Sequence, residues 1–407
     1  MALGTKPIII FSIFYSIIHF ITPIIKFNEG FFRYQSHYDI LTLNFIALYT
    51  LTIYIIICLL LSTKRFNLSI KDIKLKEYGK DYCKIIGLVV FFMGLYFALK
   101  DIYVLKQVGV DSFLTDRHAT AEIRGGGRVF TNLMMFAPVF YYASWLDDIN
   151  KKMLKKIILV FMLFFSIYYF SLVSSRNSIL VILLLMTTVH YTYTKNNVFD
   201  IKKKISIFLG GIFIFLAGYK ITLDRYSVSD SDYFSERINN IPLYMLDGAF
   251  GNDEALLWML ENNHDLYLGL TYISGFLSFI PRFLWEDKPL GAGPILSNLV
   301  TPGSYILGGE GNTSLTTGLL TESVMNFGWG GVFIIIFFWM ILLSIVYKVA
   351  LMGNNRLFQV LSLIILVALC SMFLYYEFLG FIVHILVFLI PVIILFYFIK
   401  LIKVANK

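Results

Sequence analysis

The stretch Leu266-Tyr-Leu-Gly-Leu-Thr-Tyr-Ile-Ser-Gly-Phe-Leu-Ser-Phe-Ile-Pro-Arg-Phe-Leu284 decides how this chain folds. It is apolar, but it is short and broken by glycine, serine and Pro281. As a full membrane span it would put every later basic segment on the opposite side. An extra span at 242–262 would restore parity, but Asp247, Asp253, Glu254 and Glu261 there are costly in lipid. We therefore read 266–284 as a re-entrant or interfacial segment. Irregular backbone at that depth must be buried in protein or line a wet cavity.

The rest of the chain sets this segment among membrane spans. Of 407 residues, 58% are hydrophobic and 15% charged, with a mean hydropathy of +0.75. Soluble domains carry about a quarter charged residues. Apolar runs of about 18 residues recur, which marks an all-α, polytopic helical membrane protein. A water-soluble role and nucleic-acid binding are excluded. About ten transmembrane helices are predicted, near 7–27, 40–62, 84–99, 129–146, 155–173, 178–194, 205–220, 331–350, 357–376 and 378–400. The first reads as a retained helix, not a signal peptide, because no small-residue cleavage site follows it.

With both termini cytoplasmic, 21 of the 34 basic residues and 6 of the 26 acids fall inside. The inner face is then +15 and the outer face −7, which fixes the orientation. The predicted organisation is one integral membrane domain, 1–407. A first outer (periplasmic) loop covers 100–128 and a large one covers 221–330. Asn252-Asp253-Glu254 reads as the cap of a short helix, and Asn312-Thr313-Ser314 as the start of another. The second helix carries Glu322 and Asn326 at i and i+4 on one face. Cys58, Cys83 and Cys370 show neither metal-ligand spacing nor a disulfide framework.

The acidic outer face nevertheless holds arginines: Arg117, Arg124, Arg128, Arg176, Arg225, Arg237 and Arg282. Their planar forks suit bidentate phosphate recognition. Arg124-Gly-Gly-Gly-Arg128 adds flexible N–H groups. Arg176 lies in a tight turn between spans, and Arg282 in the Pro-bracketed segment Ile280–Pro289. The competing reading pairs these arginines with surplus acids; it is preferred for Arg117, Arg225 and Arg237. Candidate general bases are Glu322, Glu310, His264, Asp287 and His118, with Glu322 slightly favoured because it sits on an otherwise apolar short helix. Neither a metal site nor a phosphate-cradling glycine motif is visible, so no metal and no cofactor are expected.

The chain resembles the O-antigen polymerase family, the Wzy-type repeat-unit polymerases. The resemblance rests on Ser175-Arg176-Asn177-Ser178, on Ile280-Pro281-Arg282-Phe283-Leu284-Trp285 with Lys288-Pro289, and on Gly311-Asn312-Thr313-Ser314 followed by Glu322 and Asn326-Phe327-Gly328-Trp329-Gly330. The family spacing of an arginine, ten residues and a glycine fits Arg282 with Gly293 and Arg237 with Gly248. Glu286 stands where relatives often carry proline. The resemblance implies a metal-independent glycosyltransferase of the bacterial inner membrane. It would join undecaprenyl-diphosphate-linked oligosaccharides into O-antigen or capsular polysaccharide on the outer face. Arg282 and Arg176 with Glu322 would form the catalytic set, and Arg124 and Arg128 would help bind diphosphate. Expected partners are the lipid-linked donor and acceptor, membrane lipids and a chain-length regulator protein. The alternatives are an O-antigen ligase-like transferase and a lipid-linked oligosaccharide flippase.

Overall fold

In lipid every backbone N–H and C=O must find a partner within the protein, so long apolar runs fold as helices. The structure, a computed structural model, describes residues 7–32, 34–35, 37–63, 80–108, 130–146, 153–173, 176–193, 243, 246–247, 250–280, 282, 284–307, 314–352 and 356–405. All regular structure among the described residues is helical. The helices are α1 (Pro7–Asn28), α2 (Ile40–Leu61), α3 (Lys80–Val108), α4 (Leu133–Leu146), α5 (Met153–Leu172) and α6 (Arg176–Tyr193). Four short helices follow: α7 (Asp253–Glu261), α8 (Leu270–Phe276), α9 (Ala292–Val300) and α10 (Gly318–Phe327). The chain ends in α11 (Gly331–Met352), α12 (Arg356–Cys370), α13 (Met372–Tyr375) and α14 (Phe378–Ala405).

Among the described residues, seven helices are long and apolar enough to cross a membrane: α1, α2, α3, α5, α11, α12 continued by α13, and α14. This is a helical membrane protein. The predicted spans at 129–146 and 178–194 are helices, but α4 has only 14 residues and the apolar part of α6 covers only Ser178–His190. The span expected at 205–220 lies outside the described residues. The loop expected to begin at residue 100 begins later, because α3 runs on to Val108. Asp101, within this helix, is buried and accepts a hydrogen bond from Tyr169 Oη at 2.6 Å.

α12 with α13 is the centre, almost wholly buried where the other spanning helices are less than half buried. Trp339 of α11 donates to the Leu369 carbonyl at 3.1 Å and ties the two helices together. α3 meets α4 along Gly87 and Gly94, where added Cβ atoms would sit 2.9 Å from Tyr141 N and 2.7 Å from Met134 Cγ. Small residues at this seam let the helices close on each other.

The strongest electrostatic contact was not expected. Lys26, in the last turn of α1, is buried and lies 3.0 Å from Asp247, 3.5 Å from Asp253 and 3.1 Å from Glu254. Glu254 also accepts from Tyr34 N at 2.7 Å and Tyr38 Oη at 3.2 Å. Burial and the neighbouring Glu254 push the Asp253 carboxyl up to about 6 against the pull of Lys26. This cluster pins α7 to the end of α1. Asn252 is correspondingly not a side-chain cap: its amide donates to the Thr317 and Leu374 carbonyls at 3.3 and 3.2 Å.

Replacing Lys26 by methionine leaves three buried carboxylates without their cation. Breaking a buried pair in this way costs about 3–5 kcal/mol. The purified Lys26→Met protein is expected to unfold at clearly lower temperature in detergent. An unchanged transition would mean that water reaches the cluster.

Candidate functional site

α8, the helix inside 266–284, has only seven residues and does not span. A helix that short is marginal alone, and α10 supports it. Tyr267 N and Leu268 N donate to the Met325 and Asn326 carbonyls at 3.2 and 3.0 Å. Gly269, at φ +91°, donates its N–H to Asn326 Oδ1 at 2.9 Å. Asn326 Nδ2 donates to Thr271 Oγ1 at 2.7 Å and to the Glu322 carbonyl at 2.8 Å. The expected pairing of Glu322 and Asn326 on one face is therefore present, and that face holds α8. Leu266, Leu268, Leu270, Ile273, Phe276 and Phe279 are left exposed.

α10 begins at Gly318, beyond the start expected at Asn312-Thr313-Ser314. Gly318 has φ +71°, and a Cβ there would collide with Asn252 Nδ2 and the Leu374 carbonyl. Asn312 and Thr313 lie outside the described residues.

Glu322 is buried, and both its oxygens are occupied. Oε1 accepts from Thr271 Oγ1 and Oε2 from Phe378 N, each at 2.6 Å. Burial pushes its carboxyl up to about 8; the two hydrogen bonds pull down, and nearby Glu377 pushes up further. Glu322 thus joins α8, α10 and the start of α14. Glu377, between α13 and α14, is half-buried, and burial raises its carboxyl as well. Its Oε2 accepts from Gly293 N at 2.6 Å, in the first turn of α9. A Cβ on Gly293 would lie 2.5 Å from Ser314 Oγ and 2.6 Å from the Leu315 carbonyl, so this close approach requires glycine.

Arg282 lies in a run of tight turns between α8 and α9. It donates through Nη1 to the Lys288 carbonyl at 2.8 Å and the Glu286 carbonyl at 3.4 Å, and through Nη2 to the Pro289 carbonyl at 3.5 Å. Lys288 Nζ donates to the Ser278 and Ile280 carbonyls, both at 3.1 Å. Burial and the adjacent Arg282 lower the Lys288 pKa. Ser274 Oγ bonds the Pro289 carbonyl at 2.9 Å and fastens the turns to α8. Among the described residues neither cation has an ion-paired carboxylate. Carbonyls hold both cations without neutralising them.

Arg282 and Glu322 thus belong to one assembly, joined through α8 and the 277–289 turns. Asp287 is exposed, and His264 is half-exposed with Nδ1 3.1 Å from the Asp265 carbonyl. Among the described residues no contact links either to the carboxyl pair. Arg176 begins α6, and its side chain lies outside the described residues, as do Arg124, Arg128, Glu310, Arg117, His118, Arg225 and Arg237. Among the described residues no three His, Cys, Asp or Glu side chains gather as for a metal ion. Sequence reasoning missed Lys26, Lys288 and Glu377. Lys288 stood in the quoted Arg282 motif without a role, and Glu377 carried a signal as the last acid of the chain at the start of a 28-residue apolar helix.

The fold defines a helical membrane protein in which the turns after α8 hold a carbonyl-bound cation pair and the junction of α8, α9, α10 and α14 holds two carboxyls. Comparison of the chain with protein-family models, curated proteins and solved structures finds no match.

The Glu322 carboxyl has an ordinary value of 4.5 and stands at about 8 in the fold. Between these values the folded protein keeps a proton that the unfolded chain releases, so stability falls as pH rises through that window and levels off above it. Unfolding temperature should therefore drop from about pH 5 to about pH 8, and Glu322→Gln should flatten part of the slope. An identical slope in the variant would show that Glu322 is ionised throughout.

Proposed function

We propose that this protein is a membrane glycosyltransferase that polymerises undecaprenyl-diphosphate-linked oligosaccharide repeat units into O-antigen or capsular polysaccharide. The reaction is placed on the outer face of the bacterial inner membrane, with both chain termini cytoplasmic, as the charge distribution favours. The observation that carries this reading is the cation pair Arg282 and Lys288, held by carbonyls with no ion-paired carboxylate among the described residues.

The chemistry follows from what leaves and what attacks. The acceptor hydroxyl oxygen bonds to the anomeric carbon of the donor glycan. The bond from that carbon to the diphosphate breaks, and its electron pair departs with the lipid diphosphate. Fixed cations stabilise that growing negative charge more strongly than water can, since they need not reorganise. Arg282 spends both Nη1 N–H groups and one on Nη2 on the loop, and keeps its Nε–H and the second Nη2 N–H for the anion. The acceptor proton goes to a carboxylate. Both oxygens of Glu322 are occupied, whereas Glu377 is half-buried and has one oxygen held by Gly293 N. Glu377 is therefore the proton acceptor in this reading, and Glu322 a positioning residue. The exposed apolar face of 266–284 would lie at headgroup depth, where the lipid diphosphates are.

The test uses proteoliposomes with purified lipid-linked repeat units, alongside the glycan ladder of a null strain and its complement. Arg282→Ala should lower chain extension about ten- to a hundredfold, with Arg282→Lys recovering only part of it. A normal ladder from well-expressed Arg282→Ala would remove this residue from the mechanism. Repeat units trapped on the inner leaflet of the null strain would indicate a flippase. A full ladder that fails to join lipid A core would indicate a ligase.

Glu377→Gln keeps an oxygen for Gly293 N but cannot take a proton. It should lower extension by about 10²–10⁴-fold, the usual contribution of a general base, while leaving donor binding unchanged. Wild-type rates in this variant would assign the proton to another group.

A further inference from the structure

A second site lies between α1 and α2, and its argument is independent of the reading above. A cavity of about 170 Å³ opens there, walled mainly by apolar side chains of the two helices. Lys26, Asp253 and Glu254 close one end. They are joined to one another: Lys26 Nζ lies 3.5 Å from Asp253 and 3.1 Å from Glu254, and both Glu254 oxygens accept hydrogen bonds. These charges have partners within the protein, so they do not select a charged occupant.

Hydrogen bonding selects instead. His19 lines the cavity from a π-helical turn, Ile17–Ile21, inside α1. Such turns recur at functional positions. His19 is 7% exposed, and its Nε2 is buried without a hydrogen-bond partner among the described residues. Thr50 lines the same cavity from α2. Its hydroxyl donates to the Ile46 and Ala47 carbonyls at 2.9 and 3.1 Å, so toward the cavity it can only accept. Tyr15 brings the two together: its ring stands 4.5 Å from that of His19, and its Oη donates to the Thr50 carbonyl at 2.7 Å. The Nε2 of a neutral imidazole donates in one tautomer and accepts in the other. A hydroxyl pairs with it in both, and while accepting from His19 it can also donate to Thr50. An ether or ester oxygen offers no donor, and an ammonium offers no acceptor. The rim is apolar: Ile24 is 60% and Phe27 55% exposed on the flank of a spanning helix. A hydrocarbon chain would cover both side chains.

We propose that this cavity binds the hydroxyl end of a neutral lipid alcohol, an acylglycerol or a polyprenol, with His19 and Thr50 as its polar partners. The volume would hold about five waters, enough for a hydroxymethyl group and a few chain carbons. The rest of the chain would run out over Ile24 and Phe27.

The test takes the full purified protein in mild detergent. Native mass spectrometry and thermal unfolding are recorded with dioleoylglycerol, with geranylgeraniol and with the methyl ether of each. A free alcohol should be retained at one molecule per protein and raise the unfolding temperature, and its ether should be held about fivefold more weakly. The alcohol held more tightly identifies the chain as acyl or prenyl. Ethers retained as strongly as their alcohols, or retention of none of the four, overturns the proposal. His19→Gln keeps a donor and an acceptor and should still prefer the alcohol, whereas His19→Leu should erase the difference between alcohol and ether. Ala47→Phe narrows the cavity from α2 and should weaken retention of both at least about tenfold. If His19→Leu does not fold, Ala47→Phe decides. A preference for the alcohol that survives in folded His19→Leu, or unchanged retention in folded Ala47→Phe, also overturns the proposal.

Discussion

The two hydrogen bonds accepted by the Glu322 carboxyl connect the parts of the molecule that a membrane would otherwise separate. Segment 266–290 is too apolar for an ordinary solvated loop and too broken to span, so its backbone needs partners inside the protein. α10 provides them through its own carbonyls, through Asn326 and through Glu322. The same carboxyl takes Phe378 N, so the start of a spanning helix is tied to the short helices. Removing it would leave the Thr271 hydroxyl without an acceptor and the Phe378 N–H unpaired. The position of Arg282 follows, because the turns that carry it are fastened to α8 by Ser274.

Around this clasp the protein treats charge in two opposite ways. At the end of α1, one lysine is nearly enclosed by carboxylates, and the contact holds helices together. At 278–289, two cations rest on main-chain carbonyls instead. Carbonyl dipoles satisfy the N–H groups but leave the net positive charge in place. The carboxyls of Glu322 and Glu377 are likewise satisfied by N–H and O–H donors, not by cations. Arginine and lysine within reach of acids normally pair with them. Here, among the described residues, neither cation is ion-paired with a carboxylate.

Much of this was legible in the sequence wherever one local pattern decided it. Apolar runs revealed the spanning helices, and broken apolarity separated 266–284 from them. Hydropathy marked 129–146 as apolar, and among the described residues its α-helix is Leu133–Leu146. Glu322 and Asn326 were readable as one helix face, yet Thr271 and Phe378 are 51 and 56 residues from Glu322. No local pattern announces such partners. Lys26 at a helix end reads as a snorkelling side chain, and its acids are more than two hundred residues away. Asn252 looked like a cap because its type suits one, but two remote carbonyls claimed its amide.

The places where local rules fail are concentrated. Leu268, with φ +48°, is the one non-glycine residue with positive φ among the described residues, and it stands at the entrance to α8. Cations without acids follow within the next twenty residues. Gly293 and Gly318, where a side chain would strike backbone, bracket the carboxyl pair from α9 and α10. Strained backbone, unneutralised charge and obligatory glycines each lower stability, and proteins keep such features chiefly where they act. The spanning bundle shows the reverse: α12 is buried on nearly every side and α3 seats its glycines against α4. A rigid apolar frame thus supports a strained and charged layer of short helices, and function is most economically assigned to that layer.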